Sequence, residues 1–325
     1  MIFTLNDAGT EYAIAGYKGT STEITVPAEY EGLPVTSVAK EAFVGNTIIE
    51  SIILPDSIKD IYESAFKDCS KLNSVDFPAT LNSIGLNSFE NCVSLTAIEI
   101  PEGIKKMPTS LFNGCATLES IKLPASAEII SFMNFMGCDS LKYLEVASGN
   151  KVYHSNGNCI IKTADKTVIA GAGQAVIPSD ESVNAIGEYA FFNRFSLKTI
   201  EIPENVKTIG EQAFSGCTAL RYARIDGATE IGESAFFACS SMRHIIIPAT
   251  LTKINDNAFS GCSFLQEIYY KGSVTDWNYV EISYNTIEQA EKAKLYFYSE
   301  EKPTAEGHFW HYIGDGIVSA WEYSN

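Results

Sequence analysis

Phenylalanine recurs at almost constant spacing through most of this chain. Phe43, Phe66, Phe89, Phe112 and Phe135 stand 23 residues apart, and Phe191, Phe214, Phe236 and Phe259 follow at intervals of 23, 22 and 23. A self-similar period in the twenties is the mark of a solenoid, in which each coil buries its apolar edge only against its neighbours. A length of 325 residues would by itself suggest about two domains. The repeat overrides that expectation, because a solenoid grows by adding coils.

Cysteine follows three positions after seven of the nine rings, at Cys69, Cys92, Cys115, Cys138, Cys217, Cys239 and Cys262. Eight cysteines in a short secreted chain would suggest a disulfide framework. Here seven share one repeat position, several beside Gly114, Gly137, Gly216 and Gly261. That placement points to a column of buried free thiols packed as small apolar groups, with some disulfides as the alternative. No Cys-x-x-Cys pair starts a zinc site. Recurrence by structural period also argues against a catalytic thiolate.

Counted from each ring, apolar residues come six and nine positions later, as at Leu72 and Val75, Leu95 and Ile98, Leu197 and Ile200. Two further on stand Leu54, Phe77, Ile100, Leu123, Ile202, Ile225 and Ile247. The alternating end of this pattern is that of a short half-buried strand. Proline then ends the strand at Pro55, Pro78, Pro101, Pro124, Pro203 and Pro248, where a missing amide donor does no harm. A second apolar pair such as Val206 and Ile209 leads into Gly-x-x-Ala-Phe. Each coil is expected to be strand, turn, short extended segment and tight helical or irregular bend, with the strands aligned into a parallel sheet on one face.

The pattern Leu-x-x-Ile-x-Leu-Pro…Ile-Gly-x-x-Ala-Phe-x-x-Cys resembles the leucine-rich repeats of the BspA-like bacterial family, and LKTIEIPENVKTIGEQAFSGC at 197–217 matches it throughout. The resemblance covers roughly residues 37–270. It implies an α/β leucine-rich-repeat solenoid of 23-residue coils, capped at both ends. It also implies a non-enzymatic protein that binds host or bacterial surface proteins in adhesion, exported to the cell surface. The expected organisation is an N-terminal cap with a hairpin at 1–36, the solenoid at 37–270, and an aromatic-rich C-terminal cap at 271–325.

The register fails in three places. Phe135 and Phe191 lie 56 residues apart, with an irregular coil at about 147–175 in which CIIKTADKTVIA (159–170) reads as a hairpin around Ala164-Asp165. Such a hairpin is either a tolerated protrusion or a binding loop. Asp226-Gly227 stands where proline is expected, and a tight turn there absorbs the one-residue deletion. From Tyr269 onward the period is lost, and 13 of the 37 aromatic residues gather there, including Trp277, Trp310 and Trp321. A helix is expected after Asn285 through IEQAEKAK, then strands at 295–299 and 308–313. Large rings suit a cap over the last coil, and they also suit a protein contact or a glycan platform.

A net charge of −17 repels phosphate backbones and anionic lipid, and no basic stripe counters it, which excludes nucleic acid as a partner. No apolar run reaches the ~18 residues of a membrane span, and the first residues lack the plan of a signal peptide. The localisation is extracellular or cell-surface if a leader has been removed, and cytoplasmic otherwise. His154, His244, His308 and His311 offer neither a shared metal site nor a base beside a nucleophile. Glu63, Glu188, Glu211, Glu233 and Asp256 share one repeat position, and Lys40, Leu86 and Thr109 interrupt that column. No cofactor, metal or catalytic residue is expected. The outward strand positions are the candidates for ligand contact: Tyr143, Tyr222, Arg224, His244, Ile246 and Tyr269, residue types enriched at interfaces. The alternatives to protein binding are glycan or cell-wall binding through the aromatic end, and a cytosolic repeat scaffold.

Overall fold

A computed structural model describes residues 1–283, 292–304, 307–313 and 317–321. The chain divides into two compact units, one of residues 1–164 with 170–172, the other of 165–169 with 173–325.

In the first unit, the strands expected from the apolar pattern form at Ser51–Ile53, Ser74–Asp76, Ala97–Glu99, Ser120–Leu123 and Tyr143–Val146. Their parallel register follows the period, Ser51 opposite Ser74 and Ala97 opposite Ser120 opposite Tyr143. This first ladder is interrupted once. Glu23–Thr25, Ser51–Ile53 and Ser74–Asp76 make one three-stranded sheet, and the strands from Ala97 to Val146 make another. The short extended segment after the proline turn forms a second parallel ladder of two-residue strands, such as Asp60–Ile61 beside Ser83–Ile84 and Lys106–Met107 beside Ile129–Ile130. This ladder breaks between the same two coils. At the N-terminus, Ile2–Leu5 and Tyr12–Gly16 pair as an antiparallel hairpin, which continues the second ladder. An antiparallel pair that the sequence reading missed, Tyr153–Asn156 with Cys159–Lys162, turns at Gly157-Asn158, where both φ values are positive. The expected turn at Ala164-Asp165 lies between the strands Cys159–Lys162 and Thr167–Gly171.

The second unit repeats the plan. Thr199–Ile202, Tyr222–Ile225, His244–Ile247, Glu267–Tyr270 and Lys294–Tyr298 form a parallel ladder. Phe309–Tyr312 joins its end, and Val318–Ala320 pairs antiparallel to that strand. Most of the helix expected over 287–294 lies outside the described residues, and its last position, Lys294, opens a strand. Helix among the described residues amounts to two four-residue turns, Phe132–Phe135 and Val274–Trp277.

Most of the bends share one backbone pattern. Residues two before and two after eight of the nine rings adopt left-handed φ, as at Glu41 and Gly45, Ser64 and Asp68, Gln212 and Gly216. Glycine, Asn and Asp recur at the second of these positions because they tolerate that region best. The alternation turns every second peptide along the stacking direction. The amides of Ser64, Phe66 and Asp68 therefore donate to the carbonyls of Leu86, Ser88 and Glu90 one coil on, at 2.8, 2.9 and 2.8 Å. In the coil at Phe135 a 3-10 turn replaces this bend. Buried Asn134 substitutes for the missing backbone pairing: its Oδ1 accepts from the Leu111 amide and its Nδ2 donates to the Met107 carbonyl, both at 3.1 Å.

The core is columnar. All nine rings are buried, and successive rings stack face to face, 4.9–6.0 Å apart, from Phe43 to Phe112 in one unit and from Phe191 to Phe259 in the other. All eight cysteines are buried free thiols. The seven in the column donate to the carbonyl of the ring residue one coil back, at 3.0–3.3 Å. Glycine before Ala-Phe marks backbone on backbone, since a Cβ on Gly210 would stand 2.7 Å from the Glu188 amide nitrogen.

Candidate functional site

In the second unit the outward row runs through Tyr222, His244 and Glu267 in register, with Arg224, Ile246 and Tyr269 two residues on. Two of these expected contacts are corrected by the structure. Ile246 is 0% exposed and Tyr269 6% exposed, because Trp310, itself fully buried, packs against both. The Trp310 Nε1–H donates to the Tyr270 carbonyl at 2.9 Å, and Tyr296, Tyr298, Tyr312 and Val318 close around the cluster. Positional counting placed these side chains outward correctly. It could not show that Trp310, 41 residues after Tyr269 and 64 after Ile246, folds over them.

Tyr222 and His244 remain half-buried, their rings 5.2 Å apart. Burial pushes the Tyr222 hydroxyl up to about 12. Burial also lowers the His244 imidazole, opposed by the Glu267 carboxylate, so this side chain favours its neutral form. Arg224 is held within the surface: its Nε donates to Asp226 at 2.9 Å, and its guanidinium lies 5.9 Å from the Tyr312 ring centre. Lys271 reaches the same carboxylate at 2.5 Å and the same ring at 6.0 Å. Asp226, read from sequence only as part of a turn, thus pins two cations beside the C-terminal strands.

The first unit presents a different face. Tyr143 is 57% exposed. Between the two sheets of the first ladder lies an open cleft of about 550 Å³, lined by Val75, Asp76, Phe77, Ala79, Glu99 and Pro101 among others. Val75 and Phe77 occupy positions that neighbouring coils bury, and here both are half-exposed. Phe77 stands where most other coils carry Leu, Ile or Val, and its ring meets Phe89 edge-on at 5.8 Å. The next ring pair, Phe89 and Phe112, is the widest in its column at 6.0 Å. The coils part here on the strand side, where the ladder is broken, while the bend ladder still joins Phe89 to Leu111 at 3.1 Å. Lys122 pairs with Glu99 at 2.7 Å, and hydrogen bonding to Glu99 raises the ammonium above its ordinary value. Asp76 forms no ion pair among the described residues, and the Glu145 carboxylate also acts on Lys122. A smaller hollow of about 360 Å³ lies between Tyr143, Glu145 and the hairpin turn at 156–158. The hairpin of Tyr153–Asn156 and Cys159–Lys162 therefore lines this hollow with its turn.

Among the described residues, no three His, Cys, Asp or Glu side chains group as metal ligands, and no helix is long and apolar enough to cross a membrane.

Two parallel ladders, stacked bends and columns of buried rings define a leucine-rich-repeat solenoid. The family model described as the BspA type leucine rich repeat region matches residues 36–159 and 174–288. The chain belongs to that family. Solved structures with the same fold include the pneumococcal vaccine antigen PcpA, at 20% identity over 92% of this chain and 94% of that one, with a TM-score of 0.60. A leucine-rich repeat protein from Eubacterium ventriosum is similar at 18% identity over 83% of each chain, with a TM-score of 0.56. A leucine rich cell surface protein from Faecalibacterium prausnitzii aligns at 23% identity over 86% of this chain and 95% of that one, with a TM-score of 0.47. No curated protein matches the chain.

Proposed function

We propose that this chain is a non-enzymatic protein-binding array acting in adhesion at a bacterial surface, with residues 1–36 and 271–325 serving as caps. Its family is one of bacterial surface repeat proteins, and one relative in fold is named a vaccine antigen. The observation that carries the reading is the outward strand face. In each unit it is a hydrogen-bonded ladder with side chains fixed by register, open in the first unit at Tyr143 and at the cleft, and half-open in the second at Tyr222 and His244. Such a face binds by complementarity at little ordering cost. Against the glycan alternative, Trp310 is turned inward and lies within the cluster it covers.

Labelled protein is expected to bind intact bacterial or host cells and to lose binding when those cells are shaved with protease. Binding that survives protease and disappears after periodate oxidation of surface sugars would transfer the reading to glycan. The double substitution Tyr222→Ala, His244→Ala is expected to weaken cell binding about tenfold, the loss of one interface anchor. Unchanged binding would remove the second unit's face from the contact.

A further inference from the structure

We propose that the cleft lined by Phe77 is a receptor for a single lysine or arginine side chain presented by an extended segment of a protein partner. The idea rests on the protein-binding reading and gives the partner its chemistry. The cleft has two kinds of wall. Its lining is apolar at Val75, Phe77, Ala79 and Pro101 and charged at Asp76, Glu99, Lys122 and Glu145. Lysine and arginine match that division, since their methylene stems cover apolar surface while the charged head stays at a polar rim. An aliphatic or aromatic guest would leave the Asp76 carboxylate unused, and an acidic one would meet like charge.

The protein has already placed a cation at this rim. Lys122 extends from the neighbouring strand to Glu99, in a row that runs Asp76, Glu99, Lys122, Glu145. Lys122 neutralises Glu99, and Asp76 at the mouth of the cleft has no such partner among the described residues. The floor beside the rim is small, Ser74, Ala97 and Ser120, so a main chain lying across the coils has room to approach. The second unit lacks this arrangement, because Trp310 covers its outward face at Ile246 and Tyr269.

The test uses fluorescein-labelled hexalysine on the full chain, read by fluorescence anisotropy. Three variants are compared, with circular dichroism confirming the fold of each. Asp76→Asn removes the unpaired rim charge. Ala79→Trp fills the cleft from an exposed position and leaves every charge in place. Glu233→Gln makes the same charge change on the other unit. The first two are expected to weaken binding about tenfold, the loss of one charge-assisted contact or of its pocket, and the third to change it less than about twofold. If Glu233→Gln weakens binding as much as Asp76→Asn, or if Ala79→Trp leaves it intact, hexalysine is responding to net charge alone and the cleft is not a receptor. Hexalysine binding is independent of any natural ligand. Its failure beside intact cell binding overturns only this inference, whereas absent cell binding beside intact hexalysine binding overturns only the proposed function.

Discussion

At the scale of the residue, cysteine proves to be more than a small filler. Each column thiol donates to a ring-residue carbonyl one coil back, as Cys92 does to Phe66 at 3.2 Å. This accounts for the two rings not followed by cysteine. Phe43 and Phe191 are the first rings of the stacks in their units, with no earlier carbonyl in the stack for a thiol to reach. Asn46 and Arg194 stand there instead, and the Asn46 Oδ1 accepts from the amides of Ile48 and Ile49, each at 2.9 Å. Burial also sets the chemistry of the column. It pushes the Cys69 and Cys217 thiols up to about 12 from an ordinary value of 9.0, as it does Cys159 outside the column, and raises Cys92 and Cys115 as well. A raised folded value means that the unfolded chain releases its thiol protons first. The stabilisation is therefore complete below about pH 9 and is lost as pH climbs from there toward 12, at about 1.4 kcal/mol per pH unit for each affected thiol. Urea midpoints should stay level from pH 7 to 8.5 and fall steeply between pH 9 and 10.5. A level midpoint across that upper range would show that the thiols ionise in the fold. Native protein should likewise resist a thiol reagent at neutral pH, and denatured protein should yield all eight free cysteines.

At the scale of the element, the coil was legible where its causes are local. Strand, proline stop, Gly-x-x-Ala-Phe and the one-residue deletion at Asp226-Gly227 each follow from residues within one period of one another. The second ladder was visible only as an extended segment, since its two-residue strands hold no alternation long enough to recognise. The left-handed pairs flanking eight of the nine rings were half-visible in the recurring Gly, Asn and Asp of the second position, and hidden at the first, where Glu41, Ser64 and Gln212 adopt positive φ. The cleft at Phe77 was not legible, because an apolar residue in an apolar column gives no sign that the ladder breaks beside it. Least legible was the cover on the second unit, which depends on Trp310 meeting Ile246, 64 positions earlier. That contact makes a strong claim on stability. Trp310→Ala empties a fully buried site and leaves the Tyr270 carbonyl without its indole donor. The expected cost is about 3–5 kcal/mol in urea unfolding. Trp321→Ala, at a half-buried ring stacked 3.8 Å from the His311 ring centre, should cost less. If Trp310→Ala loses under about 1 kcal/mol, the C-terminal strands rest on the sheet without contributing to it.

At the scale of the molecule, charge is the quantity that no single coil reveals. Several Lys–Glu pairs join successive coils of the first unit, among them Lys40–Glu63 at 3.2 Å, Lys67–Glu90 at 2.8 Å, Lys105–Glu128 at 2.9 Å and Glu119–Lys142 at 2.7 Å. Most are exposed on at least one side, and exposed pairs contribute about 0–1 kcal/mol each. Against them stands an excess of acid, 40 carboxylate side chains to 23 basic ones, whose mutual repulsion opposes the compact state. Salt weakens both effects, and the sign of its action shows which is larger. At 10 mM the screening length is about 30 Å, long enough for carboxylates several coils apart to repel one another, and at 150 mM it is about 8 Å. The short pairs, at contact distance, are screened less by that change than the long-range repulsion is. Calorimetric Tm should therefore rise between 10 and 150 mM sodium chloride and flatten beyond. A fall in Tm over that interval would mean that the inter-coil pairs outweigh the excess acid. The same field draws a basic partner toward the strand face, so hexalysine association should slow steeply with salt while its dissociation from the cleft, governed by contacts at Asp76 and Phe77, changes little.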